Sequence, residues 1–181
     1  MNHVMVDLET LGTTADAVIL SIGAVRFDLS SGKISDEEFY SSISVESNLS
    51  WKRRISEDTL LWWFKQDAAA RQVFFEPKEA LEHSLVQFSD WIGTGEHIMW
   101  SNGADFDLPM LAHAFSVCGI EIPWKFWNSR CYRTYKNLPG AKAVKLPHEG
   151  VKHNAMADAF SQAQNVIAIH KALFEKEKAK T

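Results

Sequence analysis

The sequence predicts a single α/β domain in which one mixed β-sheet is flanked by α-helices. Residues 3–44 alternate β-branched apolar segments with short turns, which is typical of an antiparallel meander. Residues 56–92 then have apolar side chains at helical spacing, and a further strand, a helix, an irregular stretch and a last helix follow. This order of elements indicates one sheet that combines the antiparallel meander with parallel strands.

Each element has a local signal. Strands are predicted where apolar, β-branched segments are bounded by turn residues, at 3–9, 18–27, about 34–44 and 97–101. Helices are predicted where apolar residues recur at helical spacing, at 57–64, 77–92, about 107–118 and about 154–175. Ser56 is the expected N-cap of the first helix, Pro77 lies in the first turn of the second, and Gly119 stops the third. Residues 120–153 are expected to be irregular.

The composition is that of an ordinary globular chain. The 181 residues suit one domain, which we expect to span residues 1–175, followed by a charged C-terminal tail at 176–181. No apolar run is long enough to span a bilayer, and the N-terminus lacks the pattern of a signal peptide. The two cysteines have no metal-binding spacing and imply no disulfide framework, so a reducing cytoplasm is the expected location.

Charge is unevenly distributed along the chain. The net charge of −4 argues against a protein that simply coats nucleic acid. Residues 1–50 hold eight acids and two bases, whereas residues 125–152 hold seven bases and one acid. One end of the fold is therefore expected to hold metal while another attracts phosphate, and Lys142 and Lys145 are candidates for phosphate contacts. The alternative is a solvated basic face.

Two carboxylates lie in the otherwise apolar first strand. Side chains alternate between the two faces of a strand, so Asp7 and Glu9 point to the same side, separated by Leu8. Two like charges at the end of a buried strand are costly unless a cation lies between them, and hard divalent cations prefer oxygen ligands. About three carboxylate-x-carboxylate pairs are expected by chance in this chain, so the pair alone is weak support for a metal site.

A second acidic site follows the predicted fourth strand and opens a helix. Ligands commonly gather at such strand ends in open sheets. Asp105 and Asp107 both lie here, and either could instead cap the helix N-terminus. The local sequence does not choose between the two acids.

A third site lies at the start of the last predicted helix. Asp158 falls in its first turn among small and apolar residues, so an acid facing the core there needs a reason, and a metal ion supplies one. His153 lies just before the helix, and an intrinsic pKa near neutrality suits it as a general base. The alternative is that His153 is a surface or capping histidine.

Together the three sites resemble the sequence motifs of the DEDDh family of 3′-5′ exonucleases. The matching residues are Asp7-x-Glu9 in the first motif, Asn102 and Phe106-Asp107-x-x-x-Leu111 in the second, and His153-x-x-x-x-Asp158 in the third. The resemblance selects Asp107 over Asp105. Ala155 stands where the tyrosine branch of the family has tyrosine, so the histidine branch is indicated. The match runs from residue 3 to about 170 and implies a ribonuclease H-like fold.

A narrower resemblance is to a phage and prophage exonuclease group named after exonuclease VIII, which is related to a mycobacterial exoribonuclease-like family. The residues that carry it are Trp62-Trp63, Pro123-Trp124-x-x-Trp127-Asn128 and Arg130-x-x-Arg133-Thr134. This resemblance implies a phage or prophage origin, and the expected location is then the cytoplasm of a bacterial host.

The family resemblance implies a metal-dependent 3′-5′ exonuclease that releases nucleoside 5′-monophosphates. Its expected partner is a nucleic acid with a free 3′ end, DNA or RNA, with single strands preferred. Two divalent ions, Mg²⁺ or alternatively Mn²⁺, would be held by Asp7, Glu9, Asp107 and Asp158, with Asp7 bridging both ions. His153 would remove the proton of the attacking water.

Four further residues are expected near the substrate. The resemblance places Thr10 and Leu11 at the terminal base or sugar, although an ordinary strand end is the alternative. Asn102 and Phe106 accompany the second motif, and Phe106 is expected to pack in the core rather than stack on a base.

Two adjacent tryptophans suggest a surface for partners. Trp62 and Trp63 cannot both face inward on one helix, so one of them is expected to be a base-stacking platform or an interface residue. The tryptophan-rich content leaves a homodimer open, and no membrane partner is expected.

Three other functions remain open. They are a non-catalytic nucleic-acid-binding or replication-partner module, an interaction protein whose acids only cap helices, and a metal-dependent endonuclease. A degenerate module should have lost at least one of the four acids or the histidine, and all five are present. An endonuclease would cut circular substrates, which an exonuclease spares.

Overall fold

A computed structural model of the chain, which describes residues 1–103 and 105–175, contains a five-stranded mixed sheet. The strands are β1 (His3–Thr10), β2 (Ile19–Asp28), β3 (Lys33–Ser42), β4 (Ile98–Ser101) and β5 (Ser129–Cys131). Their order across the sheet is β3-β2-β1-β4-β5, in which the first three strands are antiparallel and β4 and β5 run parallel to β1. This arrangement confirms the predicted fold class. The predicted tail at 176–181 lies outside the described residues.

Helices cover both faces of the sheet. They are α1 (Val45–Ser50), α2 (Glu57–Phe64), α3 (Leu81–Ile92), α4 (Asp107–Val117), α5 (Tyr132–Tyr135) and α6 (Ala155–His170). Short 3₁₀ segments occur at Ala70–Phe74, Phe126–Asn128 and Ala141–Ala143, and a π-helical turn at Lys171–Glu175. In the part of the chain described here, no helix is long and apolar enough to cross a membrane.

The alternation of side chains along β1 divides the core into two layers. Val4, Val6 and Leu8 pack with the apolar faces of α3 and α4. Met5 points the other way and packs against α6, which presents Ala159 and other small or branched residues to the sheet. Small side chains on α6 let this helix lie close to β1 and β2, and therefore close to every odd-numbered residue of β1.

Local signals predicted several element ends correctly. Ser56 accepts a hydrogen bond from the backbone N–H of Thr59 at 3.5 Å, as an N-cap does. Gly119 follows α4 with a φ of 67°, as expected of a residue that stops a helix, and α3 ends at residue 92, as predicted, with Gly93 at a φ of 68°.

Other sequence expectations were wrong. Pro77 does not lie in a helix, because the backbone of Glu79 pairs with Ser42 and Ser44 at the end of β3, and α3 begins only at Leu81. The stretch 120–153 is not wholly irregular, since it contains β5 and α5. Neither α1 nor the 3₁₀ segment at Ala70–Phe74 was predicted, and the last α-helix ends at His170.

Candidate active site

The first two acids lie on the face of β1 that α6 covers. Asp7 and Glu9 continue the side of the strand on which Met5 packs, as the strand alternation predicted. The side-chain amide Nε2 of Gln162, on α6, donates a hydrogen bond of 2.7 Å to Oδ1 of Asp7. Helix α6 therefore contributes directly to the position of the first carboxylate.

Asp107 reaches the same place because β4 ends early. The pairing of β1 with β4 ends at Met5, so the backbone N–H of Leu8 is left without a strand partner on that side. Oδ1 of Asp107, at the start of α4, accepts a hydrogen bond of 3.2 Å from this N–H. Asp107 is 3% exposed, whereas Asp105 is exposed on the surface. Of the two acids that competed in the sequence, the structure brings Asp107 to the β1 carboxylates.

The third set of predicted site residues, His153 and Asp158, lies at the N-terminus of α6. Asn154 caps the helix by accepting a hydrogen bond of 3.0 Å from the N–H of Ala157. His153 has a φ of 60°, a strained conformation for a residue with a side chain, and its N–H donates to Oδ2 of Asp158 at 2.8 Å. His148 approaches from the preceding loop, with Nε2 2.8 Å from Oδ1 of Asp158. Both oxygens of Asp158 are thus oriented by neighbouring groups.

A glycine in β2 allows α6 to approach the acids. Gly23 pairs with Asp7 across the sheet. A Cβ atom on Gly23 would overlap the backbone of Ala155 and Met156 at the start of α6. Glycine at this position therefore fixes the distance between the β1 carboxylates and the residues at the N-terminus of α6.

A cavity of about 530 Å³ opens over these groups, and we call it the carboxylate cavity. All five residues predicted to be catalytic line it, although they come from three distant parts of the sequence: Asp7, Glu9, Asp107, His153 and Asp158. Its other walls come from the turn after β1, from α2, from the loop after β4 and from α5. These side chains include Thr13, Asp58, Thr59 and Arg133.

Burial raises the pKa of three carboxyls in this cavity. Burial, followed by the charges of Asp158 and Asp107, raises the pKa of Glu9 to about 8. Burial likewise raises the pKa of Asp107 to about 7, and backbone hydrogen bonds partly oppose this. The pKa of Asp7 lies well above its usual range because it is buried and faces the other three acids. Without a cation, these groups cannot all be ionised at neutral pH without a large cost.

The donor set fits a divalent metal ion. One ligand atom from each of Glu9, His153 and Asp158 lies within 4.8 Å of the other two. Asp7 and Asp107 line the same cavity and add further carboxylate oxygens. Hard cations such as Mg²⁺ prefer oxygen ligands of this kind, and a cation would relieve the repulsion that raises the pKa values.

Of the four residues predicted to contact substrate, three line the carboxylate cavity and one does not. Thr10, Asn102 and Phe106 line the carboxylate cavity, and Phe106 also packs against the core layer of α3 and α4. Leu11 is 3% exposed and packs with Trp63 in a separate apolar cluster, and it does not line the cavity. A substrate contact by Leu11 stays a prediction.

The two tryptophans of α2 have different environments. Trp63 is 1% exposed, and its indole N–H donates to the carbonyl of Thr10 at 2.9 Å, which anchors α2 to the end of β1. Trp62 is 39% exposed and lines the cavity. Its ring meets that of His153 edge-on, with centroids 4.9 Å apart. As the sequence required, only one of the two faces inward.

Two residues of the site were missed by sequence reasoning. Gln162 follows Asp158 by one helical turn, and this i, i+4 spacing could have indicated that it shares the helix face of Asp158, although its contact with Asp7 depends on how α6 packs on the sheet. His148 comes from an irregular loop, where no periodicity predicts which way a side chain points.

Comparison with known proteins identifies relatives of this chain. The sequence model of the Rv2179c-like 3′-5′ exoribonuclease domain family matches residues 2–170 of this chain. A protein of Enterobacteria phage T4 named exodeoxyribonuclease is 24% identical over 155 residues, covering 72% of this chain and 68% of the phage protein.

Solved structures show the same fold at low sequence identity. The structure of cell-death related nuclease 4 (CRN-4) has a TM-score of 0.61 and 14% identity, and covers 91% of this chain. The chain spans only 62% of the CRN-4 chain. The nuclease domain of 3′hExo, described as a DEDDh family member bound to rAMP, has a TM-score of 0.58 and 12% identity over 93% of this chain and 90% of its own. The predicted ribonuclease H-like fold is confirmed.

Proposed function

The chain belongs to the Rv2179c-like 3′-5′ exoribonuclease domain family, and from this membership we propose that it shortens single-stranded nucleic acid from the 3′ end, releasing nucleoside 5′-monophosphates. It is an exonuclease, an enzyme that hydrolyses phosphodiester bonds. One observation carries the proposal: four carboxylates and a histidine from distant segments line one cavity. A structural role would not require several buried acids that raise one another's pKa values.

The four carboxylates are the residues that would hold two divalent cations, with Mg²⁺ expected and Mn²⁺ as the alternative. Such ions lower the pKa of a bound water and stabilise negative charge on the leaving 3′ oxygen. We assign to His153 the role of accepting the proton of the attacking water, and its edge-on contact with Trp62 supports this role by restricting the imidazole ring. Gln162 holds the Asp7 carboxylate in place.

The terminal nucleoside is proposed to lie against the side of the carboxylate cavity formed by Thr10, Trp62 and Phe106. The exposed ring of Trp62 accepts any base by stacking, which suits an enzyme that removes nucleotides in succession, while Phe106 packs into the core from the same wall. The proposal includes both RNA and DNA as substrates. The family is described as a 3′-5′ exoribonuclease domain, whereas the phage T4 relative is named an exodeoxyribonuclease. A homodimer and a cytoplasmic location stay predictions.

The test uses 5′-labelled single-stranded DNA and RNA of one sequence, with Mg²⁺, with Mn²⁺ or with a chelator. We expect a metal-dependent ladder that shortens from the 3′ end, and circular strands of the same sequence should remain intact. Asp107→Asn should abolish the ladder. Asp105→Asn, which removes an exposed acid two residues away, is the matched control and should retain it.

The other outcomes separate the alternatives. Cutting of circles would indicate an endonuclease. Binding of the oligomers without shortening, with either metal, would contradict the catalytic proposal and favour a non-catalytic nucleic-acid-binding module.

A further inference from the structure

A second cavity, of about 570 Å³, adjoins the carboxylate cavity and has a different lining. Asn102, Asp158 and Gln162 line both cavities, so the two meet beside the acids. The second cavity is also lined by three lysines from the end of α5 and the loop that follows, and we call it the lysine cavity: Lys136, Lys142 and Lys145.

Within the described residues, the lysines of the lysine cavity form no ion pair with its one acidic lining residue, Asp158, whose oxygens contact His148 and the backbone N–H of His153. Among residues 1–103 and 105–175, no ion pair includes any of the three lysines. The ammonium of Lys136 is held by neutral groups, 3.5 Å from Oδ1 of Asn102 and 4.8 Å from the ring centroid of Tyr132. Lys142 and Lys145 are exposed at the rim. Three unpaired ammonium groups around one cavity suit a polyanion.

A buried polar atom at the junction also lacks a partner. Gln162 is 8% exposed and lines both cavities. Its Nε2 donates to Asp7, but within the described part of the chain its Oε1 is buried and accepts no hydrogen bond. An unsatisfied buried amide oxygen costs free energy, which a ligand with a hydroxyl donor at the junction would recover. The 3′-terminal part of a nucleic acid strand carries such donors and also phosphates.

The two linings indicate which part of a strand each cavity holds. The carboxylate cavity has the exposed ring of Trp62 on its wall, which suits a base. The lysine cavity has three lysines, which suit a phosphate backbone, and its tyrosine, Tyr132, is buried beneath the ammonium of Lys136. In 3′-5′ hydrolysis the scissile phosphate must lie at the acids, with the terminal nucleoside on one side and the rest of the strand on the other. We infer that the lysine cavity binds the phosphates on the 5′ side of the scissile bond, an inference that rests on the proposed function.

This inference predicts that the lysines matter only for substrates that have a strand on the 5′ side. A p-nitrophenyl ester of a nucleoside 5′-monophosphate carries nitrophenol in place of that strand. Its hydrolysis adds water to phosphorus and breaks the bond to nitrophenolate, giving the nucleoside 5′-monophosphate. The ester therefore tests the carboxylate cavity alone, whereas a ten-nucleotide strand tests both cavities.

The experiment compares two triple variants that lose the same charge. Lys136→Gln, Lys142→Gln and Lys145→Gln together remove the lysine cavity's charge. The control triple variant combines Lys33→Gln, Lys125→Gln and Lys171→Gln. These three lysines lie at the end of the sheet opposite the acids. In the first variant we expect KM for the ten-nucleotide strand to rise roughly tenfold and KM for the ester to stay constant. The control should change neither.

Binding gives a readout that does not require turnover. In an Asp107→Asn background, fluorescence anisotropy measures the affinity for the labelled strand as salt is varied. Losing three phosphate contacts should reduce the slope of log affinity against log salt by roughly 2, since each single-strand phosphate contributes about 0.7. The double variant Lys142→Gln, Lys145→Gln, which leaves the packed Lys136 in place, should reduce it by roughly 1.4.

Several results would overturn the inference. Equal effects of the two triple variants would show that only net charge matters. An equal rise in KM for strand and ester would place the lysines on the scissile phosphate instead. If no substrate is hydrolysed, the proposed function fails, and an unchanged salt slope would then reject the lysine cavity as well.

Discussion

The two faces of β1 differ in what they contribute to the molecule. Val4, Val6 and Leu8 are almost fully buried in the apolar layer beneath α3 and α4. On the opposite face Asp7 and Glu9 lie against α6, with raised pKa values and other acids nearby. The same eight-residue strand therefore supplies stability on one face and strong electrostatic repulsion on the other.

The difference shows how the fold can tolerate an unfavourable site. Apolar burial contributes about 25 cal/mol per Å² and does not depend on a ligand, so the α3–α4 face can hold β1 in place without metal. The α6 face is then free to keep carboxylates close together, an arrangement that becomes favourable only when a cation binds. Variants on the two faces should therefore have opposite effects.

The largest expected effect is on catalysis, from Asp7→Asn. Losing this carboxylate should lower kcat/KM by about a thousandfold or more, because several kcal/mol of transition-state stabilisation depend on the metal site. The free energy of unfolding without metal should stay the same or rise, because a repelled charge is removed. Steady-state kinetics and urea unfolding measure the two quantities.

Val6→Ala is the matched control on the other face. It should lower the free energy of unfolding by about 2 kcal/mol while the folded enzyme keeps its kcat. An Asp7→Asn protein that unfolds more easily than Val6→Ala would contradict the proposed separation of the two faces.

The next effect in size is expected from Gly23→Ala. The added Cβ would overlap the backbone of Ala155, so α6 must shift away from Asp7. A displacement of about 1 Å at the N-terminus of α6 should lower kcat/KM roughly a hundredfold, and the overpacking should cost about 1–3 kcal/mol of stability. Circular dichroism melting and the oligomer assay measure both.

Ala24→Gly tests whether any change in β2 has this effect. Ala24 points to the α3–α4 layer, so its loss should cost about 1 kcal/mol of stability and leave kcat/KM unchanged. Wild-type activity in Gly23→Ala would show that close approach of α6 is not what positions His153 and Asp158.

Sequence patterns predicted correctly those parts of the fold that depend on interactions between residues close together in the chain. The alternation in β1 placed Asp7 and Glu9 on one face, and the capping preference of Ser56 placed the start of α2. β5 was missed because its three residues have no strand-like run of their own and are ordered by parallel pairing with β4. Pro77 was misplaced because a long-range pairing of Glu79 overrides helical spacing.

In the candidate site, too, some features follow from local sequence and others depend on long-range packing. Motif residues could be named from the sequence because their types and spacing are specific to one chemistry. Neither the Gln162–Asp7 hydrogen bond nor the His148–Asp158 contact follows from spacing alone, since the first joins residues 155 positions apart and the second comes from an irregular loop. Their geometry depends on how α6 packs on the sheet.

The smallest expected effect is the pH dependence of stability without metal. Burial raises the pKa of Glu9 to about 8 and that of Asp107 to about 7. A carboxyl with a raised pKa in the folded state contributes stability that is complete below its unfolded pKa and is lost as pH rises through the folded pKa. In chelator, the Tm should therefore fall between pH 7 and pH 8.5.

Two partly buried histidines affect stability only below this pH window. Burial lowers the pKa of His3 and His97, so their effect is to raise stability as pH increases, but that rise is complete at about pH 6.5–7. Above this pH the carboxyls of the α6 face determine the slope. Asp7→Asn should flatten the fall, and Mg²⁺ should raise the Tm most at pH 8.5, because its ligands are then deprotonated. A Tm that rises with pH in chelator would contradict the idea that the α6 face is repulsive without a cation.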